Sequence, residues 1–149
     1  MFRRFEFEKE VYETLELMPM SLRRKLDLLG IKLHLKQWQS LSRVERLVIC
    51  HFPVDEVEER EVLAAFLGEA VVRRDGSELA TASPPVKDAQ AESDGIPPDA
   101  EQMMRQLRIP EQAWHRLDPD ERFALARLAR RGADKFMSAW HEFESARNR

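Results

Sequence analysis

A single cysteine, Cys50, leaves this chain no second thiol for an intramolecular disulfide and suits a reducing compartment. Five glycines, none of them clustered, leave no material for a phosphate-cradling loop. Neither a Walker sequence, a dinucleotide fingerprint nor a nucleophile elbow is present. No β-branched alternating run argues for strands, and no apolar run reaches membrane length. Met1-Phe2-Arg3-Arg4-Phe5-Glu6 leads into acidic residues, so neither a signal peptide nor a twin-arginine export signal is expected, and the expectation is a cytoplasmic protein. A net charge of −3 lacks the strongly basic footprint of a general nucleic-acid binder.

What the chain does have is the machinery of helices. Charged residues make up 34% of its 149, which favours charged-faced helices over a turn-rich β architecture. Around Met18-Pro19-Met20, Pro19 suits a first helical position, because its φ is preset and its missing N–H would be unpaired there anyway. Gly30 can take the left-handed conformation that ends such a helix, bringing Ile31 back onto Leu26. Leu22, Leu26 and Leu29 share one face of the helix, and the basic triplet Arg23-Arg24-Lys25 reads as its solvated side. Before it, Val11 and Leu15 predict a helix from Glu8 to Leu17. Lys32-Leu33-His34-Leu35 is too short to tell strand from helix, and Trp38 and Leu41 suggest a short helical turn.

Ser42 with Glu45 three residues on forms a reciprocal capping box, opening a helix from Arg43 to His51 with Val44, Leu47 and Val48 inward and its end before Pro53. Asp55 is the expected cap of the longest helix, which runs to Arg73 with Leu63, Phe66, Leu67, Ala70 and Val71 on its apolar stripe and stops at Asp75-Gly76. Residues 75–100 carry Asp75, Glu78, Asp88, Glu92, Asp94 and Asp99 against Lys87 alone, a balance of −5. With few large apolar residues to offset ordering entropy, 75–98 reads as an acidic, flexible linker. Beyond it, Met103, Met104 and Leu107 mark a helix, Pro110 to Trp114 a short turn, and Asp118-Pro119-Asp120-Glu121 a second capped helix; Phe136, Trp140 and Phe143 make an aromatic ridge on the last one. The expected fold is all-α: a helical bundle at 5–74 and a smaller set of helices at 99–146 packing on it.

Phe5-Glu6-Phe7-Glu8, Met18-Pro19-Met20, Arg24-Lys25-Leu26-Asp27, Gly30-Ile31-Lys32-Leu33 and Trp38 resemble the nitrate reductase-associated protein family, small bacterial proteins whose genes tend to lie near those for assimilatory nitrate reductase and molybdopterin synthesis. The likeness is dense from Phe5 to Glu61. It implies an accessory role in nitrate assimilation, exercised by contact with nitrate reductase or with molybdenum-cofactor assembly proteins. It carries no catalytic, cofactor-binding or metal-binding residue.

The residues themselves offer few chemical candidates. Cys50 and His51 adjoin, but neighbours on a helix diverge by about 100°, and no CxxC or HxxxH spacing supports a metal site. Cys50 reads as a buried thiol, and His34, His115 and His141 as scattered surface histidines. No enzyme is expected and no cofactor is implied. The candidate partner-binding residues are Arg23, Arg24 and Lys36, which would suit an anionic partner, and Phe136, Trp140 and Phe143, should the ridge lie open rather than in a core. Two other readings stay open. One is a regulatory DNA- or signal-binding module presenting Lys36, Gln37, Gln39 and Arg43; the other is an enzyme whose site is assembled from scattered residues.

Finally, the chain nearly repeats itself. Trp38-Gln39-Ser40-Leu41-Ser42-Arg43-Val44-Glu45-Arg46 and Trp114-His115-Arg116-Leu117-Asp118-Pro119-Asp120-Glu121-Arg122 agree at four of nine positions, Trp, Leu, Glu and Arg, with equivalent capping residues. Either shared capping chemistry or duplication of a helical unit would produce the match.

Overall fold

The computed structural model describes residues 2–81 and 95–149, and residues 82–94 of the expected linker lie outside that description. The described chain is all-α apart from one two-residue antiparallel ladder. Its residues separate into two compact units, 2–4 with 8–81 and 5–7 with 95–149.

In the first unit, α1 (Lys9–Thr14) ends three residues earlier than the periodicity suggests, because Leu15 turns left-handed at φ 55° and donates its N–H to the Val11 carbonyl. Next, α2 (Met20–Leu29) begins one residue after Pro19, which stands at the N-cap in extended conformation. A proline cannot cap with its side chain, and the Glu8 carboxylate takes over, both oxygens accepting the Met20 N–H at 3.1 Å. Gly30 ends α2 as expected, at φ 67°. The strand β1 (Ile31–Lys32) pairs with β2 (Ala80–Thr81), Ile31 opposite Thr81, a ladder too short to leave any periodicity in the sequence. Then come α3 (Leu35–Ser40), α4 (Arg43–His51) and α5 (Val57–Asp75). Glu56, not Asp55, stands at the N-cap of α5, since Glu59 three positions on accepts its N–H at 2.9 Å.

Two expectations about faces fail. Lys25, placed with the solvated side of α2, is buried, and its ammonium donates to the carbonyls of Cys50 and Phe52, the latter at 2.7 Å. These carbonyls are orphans at the C-terminal end of α4, where a cation also suits the helix dipole. The inward face of α4 is likewise rotated. Glu45, Ile49 and Cys50 are buried, while Val44 and Val48 are exposed by 69% and 40%. Glu45 points inward, where it closes the capping box and meets two arginines of α5.

The second unit comprises α6 (Pro98–Gln106), a 3-10 turn over Glu111–Arg116, α7 (Pro119–Leu128) and α8 (Ala133–Arg147). Residues 5–7 join it: Phe5 stacks on Phe7 with ring centroids 5.2 Å apart and lies 5.4 Å from Phe143, and the Glu142 carboxylate accepts the N–H groups of Glu6 and Phe7 at 2.8 and 3.0 Å.

The four elements of this unit follow the order and spacing of α2 to α5 in the first. Leu35, Arg43 and Val57 open α3, α4 and α5; Glu111, Pro119 and Ala133, each 76 positions later, open the 3-10 turn, α7 and α8. The helices before them match at a separation of 78. Pro19 and Pro97 are N-caps, Leu22, Lys25 and Leu26 are buried as are Ala100, Met103 and Met104, and left-handed Gly30 is answered by Arg108 at φ 58°. The difference of two is the stretch that forms β1 in the first unit.

Around the repeated tryptophan the bonds are the same. Arg46 folds back to donate to the carbonyls of Trp38 (Nε, 3.2 Å) and Gln39 (Nη2, 2.7 Å), and Arg122 to those of Trp114 (3.3 Å) and His115 (3.1 Å). This explains how an arginine can sit where a hydrophobic staple residue is usual: it satisfies the carbonyls of the preceding turn instead. Glu45 accepts the Ser42 N–H at 2.8 Å, and Glu121 the Asp118 N–H at 3.0 Å. Both glutamates are buried, and both meet an arginine from the unit's last helix.

The two glutamates titrate in opposite directions. The Ser42 N–H, joined by the Arg73 hydrogen bond at 2.6 Å and the Arg74 charge, holds Glu45 down to about 2 against the pull of burial. Burial, with the charge of Asp118, pushes Glu121 above the usual carboxylate range, against the Asp118 N–H and Arg147. A lowered native pKa contributes stability above the ordinary carboxylate value that is lost as pH falls towards about 2. A raised one has the reverse sign: ionised Glu121 costs stability, and acidification relieves it.

Two predictions follow from these bonds. Glu45→Gln lowers stability at pH 7 by about 1–2 kcal/mol, with faster amide exchange in α4, whereas Glu121→Gln is neutral or stabilising at pH 7 and converges on the parent in acid; equal losses in denaturant titrations of both variants contradict the assignment. Lys25→Met costs about 1–3 kcal/mol, because the Cys50 and Phe52 carbonyls lose a buried donor, read as a lower urea midpoint and deprotection of the last turn of α4.

Candidate interaction surface

The side chains proposed from the sequence for chemistry are used to hold the helices. Cys50 is buried, and burial pushes its thiol up to about 12, so it supplies no thiolate near neutral pH. Burial, then the charges of Arg4 and Lys25, hold the neighbouring His51 below its usual range; its ring lies 5.0 Å from Phe2. Among the described residues no three His, Cys, Asp or Glu side chains converge as a metal site would require.

Of the residues of the DNA-reading alternative, one is turned inward and two donate to backbone carbonyls of the first unit. Gln37 is buried, accepting the His34 N–H at 2.9 Å and donating to Ser77 Oγ at 3.0 Å and the Glu78 carbonyl at 3.1 Å. Gln39 donates to the Glu16 carbonyl at 3.2 Å, and Arg43 to the Glu13 carbonyl at 3.0 Å. Of the four, Lys36, Gln39 and Arg43 are exposed.

The candidate partner-binding residues divide sharply. Lys36 lies at the surface, Arg24 is half-buried, and half-buried Arg23 donates through Nε to the Met18 carbonyl at 3.2 Å. Phe136, Trp140 and Phe143 are buried, so the aromatic ridge is core rather than an open face. The i, i+4, i+7 pattern that suggested an aromatic ridge is also the signature of an inward stripe, and here it is one.

The exposed apolar surface lies elsewhere. Among the described residues the large apolar side chains that face water are Leu17, Leu35, Val44, Val48, Val57, Val62 and Val72, all in the first unit. On α5, Val62, Ala65 and Val72 share one face with Glu58, Glu61 and Glu69, opposite the buried Leu63, Leu67 and Val71. On α4, Val44 and Val48 are neighbours one turn apart. Sequence reasoning put the α4 valines in the core because they fit a helical stripe. The one contrary signal was in the repeat, where Asp120 occupies the place of Val44.

No match was found among curated proteins or among solved structures. A family described as conserved nitrate reductase-associated protein does match, over residues 4–143 of 149, a span that includes both tryptophan turns. No described helix is long and apolar enough to cross a membrane. With its match covering all but the two ends, the chain belongs to the nitrate reductase-associated family.

Proposed function

We propose that this protein is a non-catalytic accessory of nitrate assimilation in the cytoplasm, acting by binding nitrate reductase or the proteins that assemble its molybdenum cofactor. The observation that carries the reading is membership, over residues 4–143, of a family described by its association with nitrate reductase. Two features support contact rather than catalysis as its means. Cys50 is buried, and Glu45 and Glu121 are buried and tied into helix starts. Apolar side chains are concentrated instead on the outer faces of α4 and α5, where binding them removes apolar area from water at about 25 cal/mol per Å².

The test is recovery of a tagged copy from cells grown on nitrate. Nitrate reductase or a molybdenum-cofactor assembly protein is expected in stoichiometric amount, and deletion of the gene is expected to lower reductase activity in extracts. Recovery of neither protein, or turnover of a small molecule by the purified chain alone, contradicts the reading.

A further inference from the structure

The second unit shows what the shared fold requires at each surface position, because it builds the same helices from a different set of side chains. Where the first unit exposes Leu35, Val44, Val57 and Val62, the second has, 76 positions on, Glu111, half-buried Asp120, Ala133 and Ser138; Val48 answers to Ala124, which is buried, and Val72 to Asn148, the C-cap just past the end of α8. Each exposed apolar side chain is answered by a polar or a small one. The architecture therefore does not need these valines, and exposure of Val62 at 55% and Val72 at 51% contributes little to the first unit's own core.

From this contrast we infer that the outer faces of α4 and α5, centred on Val44, Val48, Val62 and Val72, form the docking surface for a protein partner whose contact segment is apolar with basic flanks. The basic flanks follow from charge. Glu58, Glu61 and Glu69 are exposed and lie on the same face of α5 as Val62 and Val72. Carboxylates interleaved with the apolar side chains of α5 favour a partner of opposite charge at that face and repel an acidic one. The inference rests on the accessory reading for the identity of the partner, taken to be nitrate reductase; the surface itself is read from the two units.

The experiment measures binding of purified holo-nitrate reductase from the same organism to the full chain, by interferometry with parallel light scattering. The test variant carries the second unit's residues in the first, Val44→Asp, Val48→Ala, Val62→Ser and Val72→Asn. Asp120 and Ser138 already stand at the matching places of the second unit, and Val48 and Val72 are 40% and 51% exposed, so the variant's melting temperature is expected to stay level while affinity falls at least about tenfold. Glu61→Lys with Glu69→Lys is expected to weaken binding and to flatten its salt dependence. A second variant, Val62→Ser with Val72→Asn alone, decides the matter should the fourfold one fold poorly. Reductase that binds parent and valine variants equally overturns the surface and leaves the accessory reading standing. Absence of binding to the parent overturns this partner and the docking assignment, and leaves the accessory reading to the cofactor-assembly proteins. A parent that dimerises through these valines, or lysine variants that bind more tightly, overturns the assigned partner.

Discussion

One buried glutamate in each unit holds three segments together. Glu45 and Glu121 close the start of a helix by accepting the cap residue's N–H, and each carries its charge inward to an arginine on the unit's last helix. The arginine that follows, Arg46 or Arg122, ties the same helix start to the tryptophan turn before it. A buried carboxylate is costly unless it is paired and hydrogen-bonded, so the helix start, the turn and the last helix must be in place together.

The two copies of this arrangement are not equally supplied. Ser42 is a neutral cap, and two arginines serve Glu45; Asp118 is a charged cap, and Arg147 in the last turn of the final helix serves Glu121. Identical geometry with different neighbours is enough to drive the two carboxyls in opposite directions. Protonation at one site weakens its unit while protonation at the other does not, although the backbone around them is the same.

Much of the helical framework was legible from residue type alone. Ser42 with Glu45, Asp118 with Glu121, and Gly30 and Gly76 mark ends that the structure places where the sequence does, because capping depends on side chains and backbone groups within a few residues. The repeat was legible as nine residues, whereas the structure extends it through four elements of each unit. The match is carried by positions and burial more than by identity: Leu22 and Ala100, Lys25 and Met103, Gly30 and Arg108 occupy matching places with dissimilar side chains. Which face of a helix is covered was less legible. Phe136, Trp140 and Phe143 went to the core and Val44 and Val48 to the surface, since a stripe on a helix does not say which side of it is covered.

By itself, then, the sequence determined the all-α class, where several helices start and stop, and the family, all of which are written in local chemistry or in residue identity. Only the tertiary structure decided the use of long-range partners. It put Lys25 beneath the end of α4, brought the arginines to Glu45 and Glu121, and paired Ile31 with Thr81. Such choices depend on which segments meet across tens of residues, and neither periodicity nor capping carries that information.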